Sequence, residues 1–92
     1  MKAVHIADEK RIALLDGSGT AWGELEYSIK GDVMSINHTG VSPEKRGEGL
    51  GDLLVLAAID LARVKEWEVR VICPFASRFI EKNPDLLPGR SK

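Results

Sequence analysis

The chain has 92 residues, of which 43% are hydrophobic and 29% charged, with a formal net charge of −1. That is enough apolar material for one packed domain near the small end of what folds without staples, and the near-neutral balance gives no global basic field for nucleic acid or an anionic membrane. A single cysteine, Cys73, excludes an internal disulfide and a multi-thiolate zinc site, so no metal is expected. The opening residues, Met1–Asp8, lack the apolar stretch of a secretory signal, and no run approaches the ~20 apolar residues of a membrane span. The expectation is one soluble, cytoplasmic domain over residues 1–92, without repeats or linkers, and without nucleic-acid or membrane partners.

Four strand-like segments come first. Val4–Ala7 is weakly patterned, and Arg11–Leu15 more strongly so. Asp16-Gly17-Ser18-Gly19 has turn composition. Ala21–Ile29 alternates, with Leu25, Tyr27 and Ile29 on one face and Trp22, Glu24, Glu26 and Ser28 on the other. Lys30-Gly31-Asp32 reads as a tight hairpin, followed by a fourth strand, Val33–Val41, with Met34, Ile36 and His38 expected on one face. Turns this short make these strands antiparallel neighbours.

Ser42-Pro43-Glu44-Lys45 reads as a loop. From Gly49 to about Val64 the apolar positions Leu50, Leu53, Leu54, Ala57, Ala58, Leu61, Ala62 and Val64 follow a 3.6-residue helical period. Glu68–Cys73 reads as a fifth strand, free to lie parallel to the fourth because a helix intervenes. Pro74 suits the first turn of a last helix, Phe75–Lys82, because its missing N–H is not needed there. Asn83-Pro84 ends that helix, and residues from Leu87 onward are expected to fray. The expected fold is α+β in the order β-β-β-β-α-β-α: a mixed, mostly antiparallel sheet with helices packed on it.

The most informative segment is Arg46-Gly47-Glu48-Gly49-Leu50-Gly51-Asp52, directly before the first long helix. Alternating glycines leave a backbone that a bulky ligand can approach closely. A helix start supplies unpaired N–H donors and the positive end of a dipole. Together these features seat phosphate oxygens, and Arg46 adds a permanent charge able to grip two of them. The spacing does not suit a Walker A loop, since no Lys-Ser/Thr pair follows a glycine at the required distance. A dinucleotide fingerprint also fails, because Asp52 takes the place of its third glycine.

Arg46-x-x-Gly49-x-Gly51 resembles the Arg/Gln-x-x-Gly-x-Gly/Ala motif of the GNAT superfamily of acyl-CoA-dependent N-acetyltransferases. The surrounding string from His38 to Gly47, with Cys73-Pro74-Phe75 and Asn83-Pro84, resembles a small single-domain subgroup of about this length. The resemblance spans about residues 22–86. It implies that acetyl-CoA or CoA is the co-substrate, with the pyrophosphate held by backbone N–H groups of Arg46, Gly47, Glu48, Gly49, Leu50, Gly51 and Asp52. It further implies that pantetheine runs beside Val41 and Ser42, where the fourth and fifth strands splay apart, and that Asn83 touches the pantetheine or acetyl region. The implied chemistry is direct attack of an amine on the thioester carbonyl, with a backbone N–H stabilising the oxyanion. Related sequences often carry an acidic residue at the position of Gly40, where glycine offers no carboxylate.

Two side chains are candidate catalytic groups. His38 precedes the expected splay, and an imidazole accepts protons near neutral pH; the alternative is a histidine hydrogen-bonded within the sheet. Cys73, facing the start of the last helix, suits a thiolate nucleophile, or else a small buried apolar residue. Asn83 suits a helix C-cap equally well. Trp22, Trp67 and Phe79 are expected to pack, and Glu24 and Glu26 either receive a cationic amine or simply face solvent.

The functional expectation is an acetyl-CoA-dependent N-acetyltransferase acting on a small amine or flexible peptide. The alternative is a non-catalytic CoA-binding module acting as a sensor or partner-binding domain. The chain has no room for the extra helices that build the acceptor side in larger family members, so a homodimer or protein partner is expected to complete it.

Overall fold

In a computed structural model, residues 1–83 are described; Pro84 and the fraying expected from Leu87 lie outside them. The strands are β1 (Lys2–Ile6), β2 (Arg11–Leu15), β3 (Ala21–Lys30), β4 (Val33–Val41) and β5 (Glu68–Val71). Helix α1 (Leu50–Lys65) joins β4 to β5, and α2 (Pro74–Lys82) follows. Short 3-10 turns fill Ala7–Glu9 and Pro43–Lys45, the first where β1 was expected to end and the second inside the expected loop. The five strands form one sheet in the order β1-β2-β3-β4-β5. The first four pair antiparallel, and β4 pairs with β5 in parallel.

The core grows from the alternation of β2, β3 and β4. Ile12, Leu14, Leu25, Tyr27, Met34 and Ile36 are buried, and α1 and α2 join the same cluster through residues such as Leu54, Ile59, Ala76 and Ile80. Burying a leucine- or isoleucine-sized side chain contributes roughly 1.5–3 kcal/mol, so this cluster is what holds the helices to the sheet. Trp22, Trp67 and Phe79 pack at its margin, as expected. On α1 the buried stripe is Leu50, Gly51, Leu54, Val55, Ala58, Ile59 and Ala62. The expected face is therefore rotated: Val55 and Ile59 take the core, while Leu53 and Val64 are 45% and 79% exposed.

One expectation fails in β4. Met34 and Ile36 face the core, but His38 does not. The register shifts between Glu26 and Tyr27: Tyr27 lies opposite Ile36, and Glu26 lies opposite His38. Asn37 is thus the extra residue of a β-bulge, and the bulge reverses the alternation beyond it. Thr39, opposite Leu25, takes the core face, while His38 and Gly40 join Glu26 and Glu24 on the other.

The bulge coincides with the end of the parallel pairing. That ladder runs from Val33 opposite Glu68 to Ile36 opposite Val71. The N–H groups of Ile72 and Cys73 then both donate to the Ile36 carbonyl, at 2.9 and 3.0 Å. Strand β5 leaves the sheet there, so Cys73 caps α2 instead of ending β5, and Pro74 starts the helix as expected. Strand β4 runs on to Val41 with an edge that β5 no longer covers.

Candidate active site at the strand splay

A cleft of about 550 Å³ opens along that uncovered edge. Its inner end is Thr39, Gly40 and Val41 of β4, and its outer end is the loop and first turn of α1. Of the residues expected to bind a ligand, Val41, Arg46, Gly47, Gly49, Leu50, Gly51 and Asp52 come together in its wall. Ser42 instead lines a second hollow of about 380 Å³, which shares Gly40 and Val41 with the first and also touches Arg11 and Glu24. Glu48 is exposed in the loop but is not part of the wall. Asn83 stands apart from both hollows: its Nδ2 donates to the Phe79 carbonyl at 3.0 Å, closing the end of α2.

The loop conformation explains its glycines. Gly47 and Gly49 have φ of +86° and +78°, the left-handed region, while a Cβ at either would meet open space. Backbone angle, not crowding, therefore calls for glycine there. Gly49 caps α1 with no side-chain hydrogen bond to its N–H groups. The Leu53 N–H is bonded to the Gly49 carbonyl at 3.2 Å, and the N–H groups of Leu50, Gly51 and Asp52 precede it at the helix start. They face the cleft together with the positive end of the helix dipole. Gly51 meets a different constraint, since an added Cβ would lie 2.4 Å from Cζ of Phe75. The Phe75 ring thus lies flush on the first turn of α1 and forms one side of the cleft.

A second cation, Lys45, joins Arg46 in the wall. Its Nζ lies 5.0 Å from the centroid of the Trp22 ring. The indole N–H of Trp22 donates to Asp16 at 2.7 Å, and the same carboxylate receives the N–H groups of Ser18 and Thr20. The Trp22 indole, then the Ser18 hydroxyl and the Thr20 N–H, hold Asp16 well below the usual carboxylate range. The β2–β3 turn therefore braces the tryptophan on which Lys45 rests.

The two catalytic candidates are separated by the bulge. His38 is exposed on the sheet face away from the helices, and its Nε2 lies 3.1 Å from where a side chain on Gly40 would begin. Cys73 is 5% exposed beneath the start of α2. Burial pushes its thiol up, but the Ala76 N–H, the Thr39 hydroxyl and the N–H groups of Phe75 and Thr39 outweigh that, and the net shift is downward. Neither residue lines the cleft. Lys45, Thr39 and Phe75 were not anticipated. Lys45 carried a signal in its charge beside Arg46, whereas Thr39 and Phe75 are brought in by the bulge and by helix packing.

No curated protein matches the sequence significantly. Among solved structures, the fold is similar to a GCN5-like protein of Staphylococcus aureus, itself proposed to be an N-acetyltransferase. That match has 28% identity and a TM-score of 0.72, and covers 92% of this chain and 82% of that one. The fold is also similar to N-acetylglutamate synthase from Neisseria gonorrhoeae, solved with coenzyme A and N-acetyl-glutamate (18% identity, TM-score 0.67, 80% of this chain and 18% of that one). A GNAT family N-acetyltransferase from Escherichia coli in complex with CoA matches at 20% identity and a TM-score of 0.59, over 66% of this chain and 38% of that one. At such identities the last two share the fold alone. A family profile described as GCN5-related N-acetyl-transferase matches residues 11–87, and the chain belongs to that family.

Proposed function

We propose that the protein binds acetyl-CoA in the β4–α1 cleft and transfers the acetyl group to an amine by direct attack. The observation that carries this reading is the continuity of the cleft. It joins a phosphate-suited end, built from Arg46 and the open N–H groups of α1, to the free edge of β4. Pyrophosphate would sit at the first end, and pantetheine would add to β4 where β5 has departed. The neutral amine attacks the thioester carbonyl, the C–N bond forms, the C–S bond breaks and the CoA thiolate leaves. The proton released by the amine passes to water or to a nearby base, and a backbone N–H of the β4 edge stabilises the oxyanion. The second hollow, which shares Gly40 and Val41 with the cleft, is the approach for the acceptor.

Calorimetric titration with CoA and acetyl-CoA, with ADP and phosphate as competitors, tests the binding half. Arg46→Ala is expected to weaken CoA binding by about 1.5–3 kcal/mol, the range for a hydrogen bond to a charged group. Unchanged affinity would remove Arg46 from the site. Asp52 gives an effect of opposite sign. A carboxylate in the first turn favours the helix by about 0.3–1 kcal/mol but opposes an incoming phosphate. Asp52→Asn is therefore expected to melt slightly earlier without ligand and to bind CoA more tightly. Weaker CoA binding by this variant would show that the phosphates lie elsewhere.

A specific observation also supports the CoA-binding module without catalysis. Thr39, Gly40 and Val41, the wall at the expected thioester end, carry no carboxylate. Thiol release from acetyl-CoA in the presence of polyamines and lysine peptides separates the two readings. Tight CoA binding with no turnover on any amine favours the module.

A further inference from the structure

Lys45 belongs to both hollows. It lines the β4–α1 cleft, while its ammonium lies 5.0 Å from the centroid of the Trp22 ring, which lines the second hollow. The indole N–H bond to Asp16 at 2.7 Å fixes that half-buried ring. An indole face attracts any ammonium through its quadrupole, so the chain itself supplies the cation that the second hollow holds when empty. Glu24 lines the same hollow, and Arg11 divides its guanidinium between Glu24 at 2.8 Å and Glu9 at 2.7 Å. One positive charge against two carboxylates leaves this group net negative, which also favours a cation.

This inference rests on the acyl-CoA reading above and names the class of acceptor within it. Phosphates at the Arg46 end arrive beside Lys45, and a phosphate bonds an ammonium more strongly than an exposed ring face does. We infer that Lys45 leaves the Trp22 ring when acyl-CoA binds, and that the vacated ring seats one ammonium of an aliphatic diamine or polyamine whose other amine accepts the acetyl group. That second amine, in its neutral form, reaches the thioester past Gly40, which both hollows share and which puts no side chain in the way. Trp22 and Glu24, the latter opposite Gly40, are two residues apart on β3. That is about 7 Å along the strand, a span that an extended four-carbon diamine matches.

The test titrates 1,4-diaminobutane and 1-aminobutane into the protein by calorimetry, with and without saturating CoA. CoA carries no acetyl group, so binding is read apart from turnover. With CoA bound, wild type is expected to bind the diamine about three- to tenfold more tightly than the monoamine. Trp22→Leu is expected to remove that preference, and Trp22→Phe, which keeps an aromatic face, to retain most of it. Without CoA, wild type is expected to bind the diamine more weakly, and Lys45→Ala to recover the affinity. This last variant leaves the ring and its Asp16 bond in place, so it decides the matter even if Trp22→Leu does not fold. Equal affinity for the two amines in CoA-bound wild type overturns this inference and leaves the acyl-CoA reading standing. A preference that survives Trp22→Leu, or no gain from Lys45→Ala, also overturns it. If wild type binds no CoA, the acyl-CoA reading falls and takes this acceptor seat with it.

Discussion

Acetyl transfer by this protein is expected to accelerate about tenfold per pH unit from pH 7 towards pH 10, a rise of nearly three orders of magnitude. A lysine-type amine has a pKa of about 10.4, so only about one molecule in 2,500 is the free nucleophile at neutral pH. A base beside the reacting atoms would flatten that dependence. The β4 wall offers glycine at position 40, His38 lines neither hollow, and the Glu24 carboxylate in the second hollow is paired with Arg11 at 2.8 Å. Rates of thiol release from acetyl-CoA between pH 6 and 10, with His38→Ala in parallel, provide the check. Fast turnover that peaks near pH 7 and disappears in His38→Ala would defeat the base-poor mechanism. The fold sets the upper limit of the assay. Burial raises the Tyr27 phenol above its ordinary value of 10.0. Its contribution is thus fully present below that value and is lost as pH rises through the folded-state pKa. Any fall in rate above pH 10 should be matched by a falling melting temperature and be smaller in Tyr27→Phe.

The largest stability effect is expected from Leu54→Ala, at about 2–5 kcal/mol. Leu54 is 0% exposed, and its Cδ1 lies 3.2 Å from the place where a side chain on Gly23 would begin. It fills the gap left by the missing side chain of β3 and anchors α1 one turn beyond the cleft. For a domain of this size, whose total stability is of order 5–14 kcal/mol, that is a large share. Its neighbour Leu53, at 45% exposure, is the control, and Leu53→Ala should stay close to wild type. Urea unfolding of the two variants gives the comparison. A Leu53→Ala loss equal to that of Leu54→Ala would contradict the orientation of α1.

Elements with a strong local period are legible in the sequence alone. The alternation of β3, the helical spacing of α1, the proline at the start of α2 and the glycine loop each declare themselves within a few residues. Their order, with the parallel pairing of β4 and β5, was legible too. What escaped depends on partners distant in sequence. Asn37 has no compositional mark of a bulge, so strict alternation placed His38 inside and overlooked Thr39. Lys45 acquires its position from Trp22, on a strand two elements earlier, and Phe75 meets Gly51 only when α2 folds against α1. On α1, Leu53 and Val55 are equally apolar, and only the direction from which the sheet approaches decides which is covered. Asn83 offered a ligand contact and a helix cap with equal plausibility, and its bond to Phe79 shows the cap.

The proximity of the His38 imidazole to the bare Cα of Gly40 couples these two positions. The ring reaches to 3.1 Å from the point where any side chain at residue 40 would have to start. His38 is exposed and its ring is the far end of a flexible side chain, so a carboxylate installed at position 40 would move that ring by a few tenths of an ångström and meet it as a hydrogen-bonding neighbour. A double-mutant cycle that combines Gly40→Asp with His38→Ala should therefore show a coupling energy different from zero.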